Sequence, residues 1–159
     1  MSYVPMHELL PDIAMKETRT ITVFPGSVFG VPTGDYGLVE MYCNDEDCDC
    51  RRVFISVISS VTKDIVAVIT FGWEGRAFYS KWLNRGRTVK LSELDELDRQ
   101  AVEAMHGIHL SETTRQSKIA PAVLRMVTEC ALRDKAYVDR LKRHYKLFRA
   151  KVDEQYRSH

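Results

Sequence analysis

Between Arg19 and Phe24 apolar and polar positions alternate, with Ile21 and Val23 on one side and Thr20 and Thr22 on the other. This two-residue period predicts a half-buried strand. Pro25 and Gly26 stop it, because proline cannot continue a ladder and glycine takes turn dihedrals. Pro25, Gly26, Gly30, Pro32, Gly34 and Gly37 then mark a loop over the surface. Tyr36 to Cys43 reads as a second strand. Arg52 to Ser59 and Ile65 to Phe71 are apolar on both faces, which predicts central strands covered on both sides. The short Ser60 to Asp64 connection predicts an antiparallel hairpin between them.

Near residue 84 the spacing turns helical. Ser92, with Asp95 three residues on, is placed to cap a helix over Leu94 to Met105, and Gly107 ends it. Ser117 or Ala120 opens the next helix, where Pro121 is tolerated because its missing donor would be unpaired anyway. Val123, Met126, Val127 and Cys130 form its apolar stripe. Beyond Asp134, Val138, Leu141, Tyr145, Phe148 and Val152 recur at intervals of three and four. The expected fold class is α+β, an antiparallel β-meander of three to four strands followed by C-terminal helices packed on it. No repeat, low-complexity tract or long polar linker divides the chain. Residues 1–159 are therefore expected to form a single domain, with an N-terminal extension at 1–15, a mainly β part at 16–83 and a mainly α part at 84–159.

Composition adds exclusions. A chain of 159 residues with 45% hydrophobic and 28% charged positions has the profile of one soluble domain, not of a disordered, fibrous or disulfide-dense protein. The 23 basic residues nearly balance the 22 acids, so a net charge of +1 gives no global field for nucleic acid or an anionic membrane. The longest apolar runs, Val53 to Ile58 and Ile65 to Phe71, fall far short of the ~20 residues that span a bilayer. Pro5, His7, Glu8, Pro11 and Asp12 do not suit a secretory signal, so a cytoplasmic location is expected.

The cysteines change the picture. Cys43, Cys48 and Cys50 make C-x4-C-x-C at the corner between two predicted strands. Thiolates bind zinc tightly, and a structural site needs four ligands in a tetrahedron. A turn can bring three sulfurs to one point. Asp45, Glu46, Asp47 and Asp49 raise thiol pKa values unless a cation is present, and Arg51 and Arg52 are placed to offset a three-thiolate site. A disulfide is disfavoured in a reducing compartment. The expected ligands are Cys43, Cys48, Cys50 and His144, which follows Leu141 by three residues on or beside the buried face of the last helix. His109 and then Cys130 are the next candidates for the fourth position, although Cys130 on its stripe reads first as a small hydrophobe. Water in that position would give a catalytic geometry instead.

The run from Tyr42 to Val53, written YC-x4-CDCRRV, resembles that of a group of uncharacterised bacterial proteins. Phe71-Gly72-Trp73-Glu74, Phe78-Tyr79-Ser80-Lys81-Trp82 and Leu141-Lys142-Arg143-His144-Tyr145 resemble further segments of that group. The likeness spans roughly residues 36–149 and implies one compact bacterial domain, with no activity attached. The C-x-C pair is also similar to the SEC-C zinc motif, but the Cys-His or Cys-Cys pair that closes that motif is missing here.

Two other features have plain structural readings. Phe71, Trp73, Phe78, Tyr79 and Trp82 suit a ligand pocket, but fastening a short helix to the sheet is the preferred account. Arg140, Lys142, Arg143, Lys146, Arg149 and Lys151 occur with no acid among them, a stripe that suits nucleic acid phosphates or simply a solvated face. The chain carries no G-x-x-x-x-G-K-[ST], G-x-S-x-G, H-E-x-x-H or C-x-x-C motif, and a non-enzymatic role is preferred. The leading expectation is a structural zinc domain with an interaction or regulatory role toward a protein partner, with neither nucleic acid nor a membrane involved. The alternatives are a thiol-based redox enzyme or sensor using the C-x-C cysteines and, more weakly, a nucleic-acid module using the basic last helix.

Overall fold

The computed structural model describes residues 2–158 and gathers the alternating segments into one antiparallel sheet. Its strands are β1 (Tyr3–Pro5), β2 (Arg19–Val23), β3 (Gly34–Cys43), β4 (Arg52–Ser59), β5 (Ile65–Gly72) and β6 (Gly107–Leu110). β3, β4 and β5 form the expected meander. β1 and β2 lie end to end along the outer edge of β3, and β6 runs beside β5 on the far side. The sheet thus has six strands, not three or four. β1 and β6 hold three and four residues, too few for an alternation to register in the sequence. β4 is buried except at Phe54 and Ile58, and β5 except at Ile65, as strands covered on both faces must be.

The helices are α1 (Met6–Leu9), α2 (Pro11–Glu17), α3 (Arg76–Leu83), α4 (Glu96–Met105), α5 (Ala120–Val127) and α6 (Lys135–Arg157). α6 supplies Tyr137, Leu141, His144, Tyr145, Phe148 and Val152 to the core, which the sheet completes with Leu38, Tyr42, Val53, Ile55 and Val57. Tyr42 meets Phe148 ring to ring at 5.5 Å. Full burial of one such side chain is worth about 1.5–3 kcal/mol. Tyr79, Leu94, Val102 and Met105 make a second, smaller core beneath α3 and α4. That layer approaches the sheet closely at Gly72, where an added Cβ would lie 2.0 Å from the Met105 carbonyl.

Three local differences from the sequence pattern have clear causes. α4 begins after Leu94, which is buried with extended backbone, so its cap is Asp95, accepting from Asp98 N at 2.8 Å, and not Ser92. α5 does not simply stop before Asp134. It widens into a π-helical turn over Thr128–Leu132, and the Asp134 carboxylate then caps α6 by accepting from Ala136 N at 3.0 Å. Finally, the stretch expected as an extension is folded: Met6, Leu10 and Ala14 are buried four residues apart across α1 and α2. No helix among the described residues is long and apolar enough to cross a membrane.

Candidate metal centre

β3 delivers Cys43 as its last residue, and Cys50 stands two residues before β4. Between them the chain reverses through a turn closed by Cys48 N donating to Asp45 O at 3.4 Å. Asp47 and Arg51 take positive φ values of 55° and 49°, which fold the corner back on itself. The result brings the Sγ atoms of Cys43, Cys48 and Cys50 within 4.8 Å of one another. Cys43 and Cys50 are fully buried and Cys48 is half-buried. All three are free thiols.

The corner is gripped from outside by the long helix and by neighbouring strands. Arg149, almost completely buried on α6, donates from Nη1 to Cys43 O and from Nη2 to Asp45 O, both at 2.8 Å. Tyr145 Oη accepts from Arg51 N at 3.1 Å and donates to Asp49 Oδ1 at 3.2 Å. Tyr156 Oη donates to Asn44 O, Asn44 N donates to Ser2 O, and Tyr79 Oη donates to Arg51 O. Main-chain polar groups in a turn usually face water; here the protein itself takes them up, which fixes the sulfur positions.

The electrostatics suit a cation. Hydrogen bonding to Cys48 pushes the Cys43 thiol up, and hydrogen bonding to Cys43 does the same for Cys50, with burial adding to both. For Cys48, the pull of Cys43 downward is outweighed by Cys50 and by burial, so this thiol also rises. Ionising all three together is unfavourable, and a positive ion between them would offset that cost. Asp45 N points at Cys43 Sγ at 3.4 Å, a contact that favours the thiolate. The two arginines expected to compensate the sulfurs have other tasks. Arg51 grips Asp49 at 2.9 Å and Glu74 at 3.3 Å and lies over the Phe78 ring. Arg52 is buried and donates to Met105 O, Ala104 O and Tyr3 Oη.

Among the described residues, the group of Cys, His, Asp and Glu donors that meet at this corner consists of the three cysteines. His144, expected as the fourth ligand, belongs to a different cluster. It is completely buried, with Nδ1 2.7 Å from Glu40 Oε1 and Nε2 3.5 Å from Glu17 Oε2. Tyr42 Oη donates to the same Glu40 oxygen at 2.6 Å. Leu141 and Tyr145 share the helix face, but His144 reaches β3 at Glu40, three residues before Cys43. His109 Nε2 contacts His106 O at 2.7 Å, and the Cys130 carbonyl accepts from Arg19 beside β2.

Tyr3, Tyr145 and Arg149 were not singled out from the sequence as parts of this corner. Arg149 and Tyr145 had a usable signal, since they stand four residues apart on a face shared with Phe148 and Val152. Tyr3 had none, because a three-residue strand leaves no pattern. The basic stripe of α6 is also partly used internally: Arg140 donates to Glu17 O, Arg143 pairs with Glu17, and Lys151 pairs with Glu154.

Compared with known proteins, the chain matches no family model, no curated sequence and no solved structure.

Proposed function

We propose that this α+β domain binds a structural zinc ion through Cys43, Cys48 and Cys50 and serves as an interaction or regulatory domain in the cytoplasm. The observation that carries the reading is the convergence of three thiols at one rigid corner. Tetrahedral zinc, with Zn–S near 2.3 Å, holds its sulfurs roughly 3.8 Å apart. The separations of up to 4.8 Å therefore require only a small inward rotation of side chains. A bound divalent ion stabilises thiolates that otherwise oppose one another, and its binding energy adds to that of folding. The chain's own part is to hold the corner: Arg149, Tyr145 and Tyr156 fix the backbone, so the sulfurs stay in place.

The test is elemental analysis of protein purified without added metal, with thiol titration before and after chelation. One zinc per chain, with three thiols that react only after chelation, supports the reading. Metal-free protein whose thiols react without chelator overturns it. Cys48→Ser should lower the melting temperature of the zinc-loaded protein by many degrees.

A thiol-based redox role ranks second. Sulfurs this close suit disulfide exchange, and Cys48 is the accessible one. Against it, the thiols are raised, whereas a reactive cysteine is lowered by neighbouring cations. Nucleic acid lies outside the proposal because Arg140, Arg143 and Arg149 are bound to groups of this chain.

A further inference from the structure

Tyr3 stands opposite Cys43 where β1 pairs with β3, and its ring stacks on Phe54 with centroids 4.0 Å apart. The stack carries Oη to 3.7 Å from Cys50 Sγ. Arg52 Nη1 donates to the same oxygen at 3.4 Å. A guanidinium has no acceptor, so Tyr3 Oη accepts from Arg52, and once Cys50 is a thiolate the phenol is the donor of the Tyr3–Cys50 contact. The phenol is therefore in place to donate to a Cys50 thiolate.

We propose that Tyr3 is a positioning residue of the metal site, donating its hydrogen bond to the Cys50 thiolate, so that metal occupancy fastens the N-terminal strand to the sheet. The proposal rests on the metal-binding reading. Groups that hydrogen-bond to metal ligands typically change metal affinity by 10–100-fold when removed. Coupling of this kind is reciprocal: whatever Tyr3 adds to metal binding, the bound metal adds to the docking of β1. β1 is well placed to respond, since it pairs with β3 only through Tyr3, Val4 and Pro5, next to Cys43 itself. Ser2, which accepts from Asn44 N at 3.0 Å, extends the contact into the cysteine turn.

Tyr3→Phe keeps the ring and its stack and removes only the proton. Zinc affinity by competition with a chelator should fall about 10–100-fold. In cobalt(II)-substituted protein the sulfur-to-cobalt charge-transfer band should shift relative to wild type, because the donor is lost from one thiolate. Amide exchange at Val4 and Met41 to Cys43 should slow on zinc loading in wild type and much less in Tyr3→Phe. Melting of both proteins in chelator reports any fold defect separately. An unmoved charge-transfer band in Tyr3→Phe overturns the proposal even if affinity falls, since that pattern means a merely structural role. Unchanged affinity overturns it as well. Wild-type protein that takes up neither zinc nor cobalt overturns the metal reading itself, a result distinct from either.

Discussion

Arg149 of α6 holds the carbonyl of Cys43 at 2.8 Å, so the long helix and the first cysteine are one mechanical unit. The same guanidinium holds Asp45 O. Bonds from a charged donor are worth about 1.5–3 kcal/mol each, and Arg149→Met would remove both while keeping the buried aliphatic stem. The expected result is a loss of about 3–6 kcal/mol in urea unfolding, with faster amide exchange concentrated in residues 44–49. Arg149→Lys should recover little, because a point charge cannot span two carbonyls as the planar fork does.

Glu40 and His144 face each other in the core at 2.7 Å, both fully enclosed. Removing one partner strands the other. His144→Leu, which leaves the carboxylate with the Tyr42 hydroxyl, should cost about 3–5 kcal/mol. The double variant Glu40→Leu/His144→Leu should be destabilised much less than the sum of the singles, because neither polar partner is then left in the core without the other. A double-mutant cycle by denaturant unfolding checks this; additive losses would show that the two residues act independently.

Glu17 links this cluster to the surface. The Arg143 hydrogen bond, helped by the charges of Arg143 and His144, holds its carboxyl below the usual carboxylate range. A group with a depressed pKa stabilises the fold above its unfolded value, near 4.3 for glutamate, and that contribution is lost as pH falls through the folded value. Stability should therefore drop below about pH 4 in part through Glu17. Glu17→Gln should lower stability at pH 7 by about 0.2–1 kcal/mol, as expected of a partly exposed pair. It should also flatten the acid limb of the stability curve, measured by thermal melts from pH 3 to pH 7.

Two glycine replacements should move stability in opposite directions. At Gly72 a Cβ would meet the Met105 carbonyl at 2.0 Å and Tyr79 Oη at 2.7 Å. Backbone cannot give way cheaply there, and Gly72→Ala should cost about 1–3 kcal/mol or more. At Gly37, with nothing within 4 Å of the added carbon, alanine should be neutral or gain up to about 1 kcal/mol by restricting the unfolded chain. Paired melting curves decide the signs.

The periodic parts of the fold were legible in the sequence. Ile21 and Val23, the doubly apolar β4 and β5, and the Leu141–Tyr145–Phe148–Val152 stripe all announce which side meets the core. β1 and β6 were not, because each is too short for a period and is held by tertiary pairing, as Tyr3 is by Cys43 and Gly107 by Gly72. The C-x4-C-x-C spacing was enough to gather three thiols. Spacing along α6 placed His144 on the buried face, but β3 presents Glu40 there, and a carboxyl group in the core takes the imidazole before the cysteine corner does. Such long-range choices depend on which strand residue lies opposite, which one-dimensional patterns do not encode.

β1 and β2 lie end to end on the ten-residue β3 and screen its outer row of main-chain donors and acceptors. A bare flank of that kind is a template on which a second copy can pair, so these two short strands also guard the protein against self-assembly. Both lie before the exposed loop that carries Phe24 and Val28. A single cut in that loop would leave both strands held to β3 by pairing and packing alone, with no chain connection to keep the flank covered.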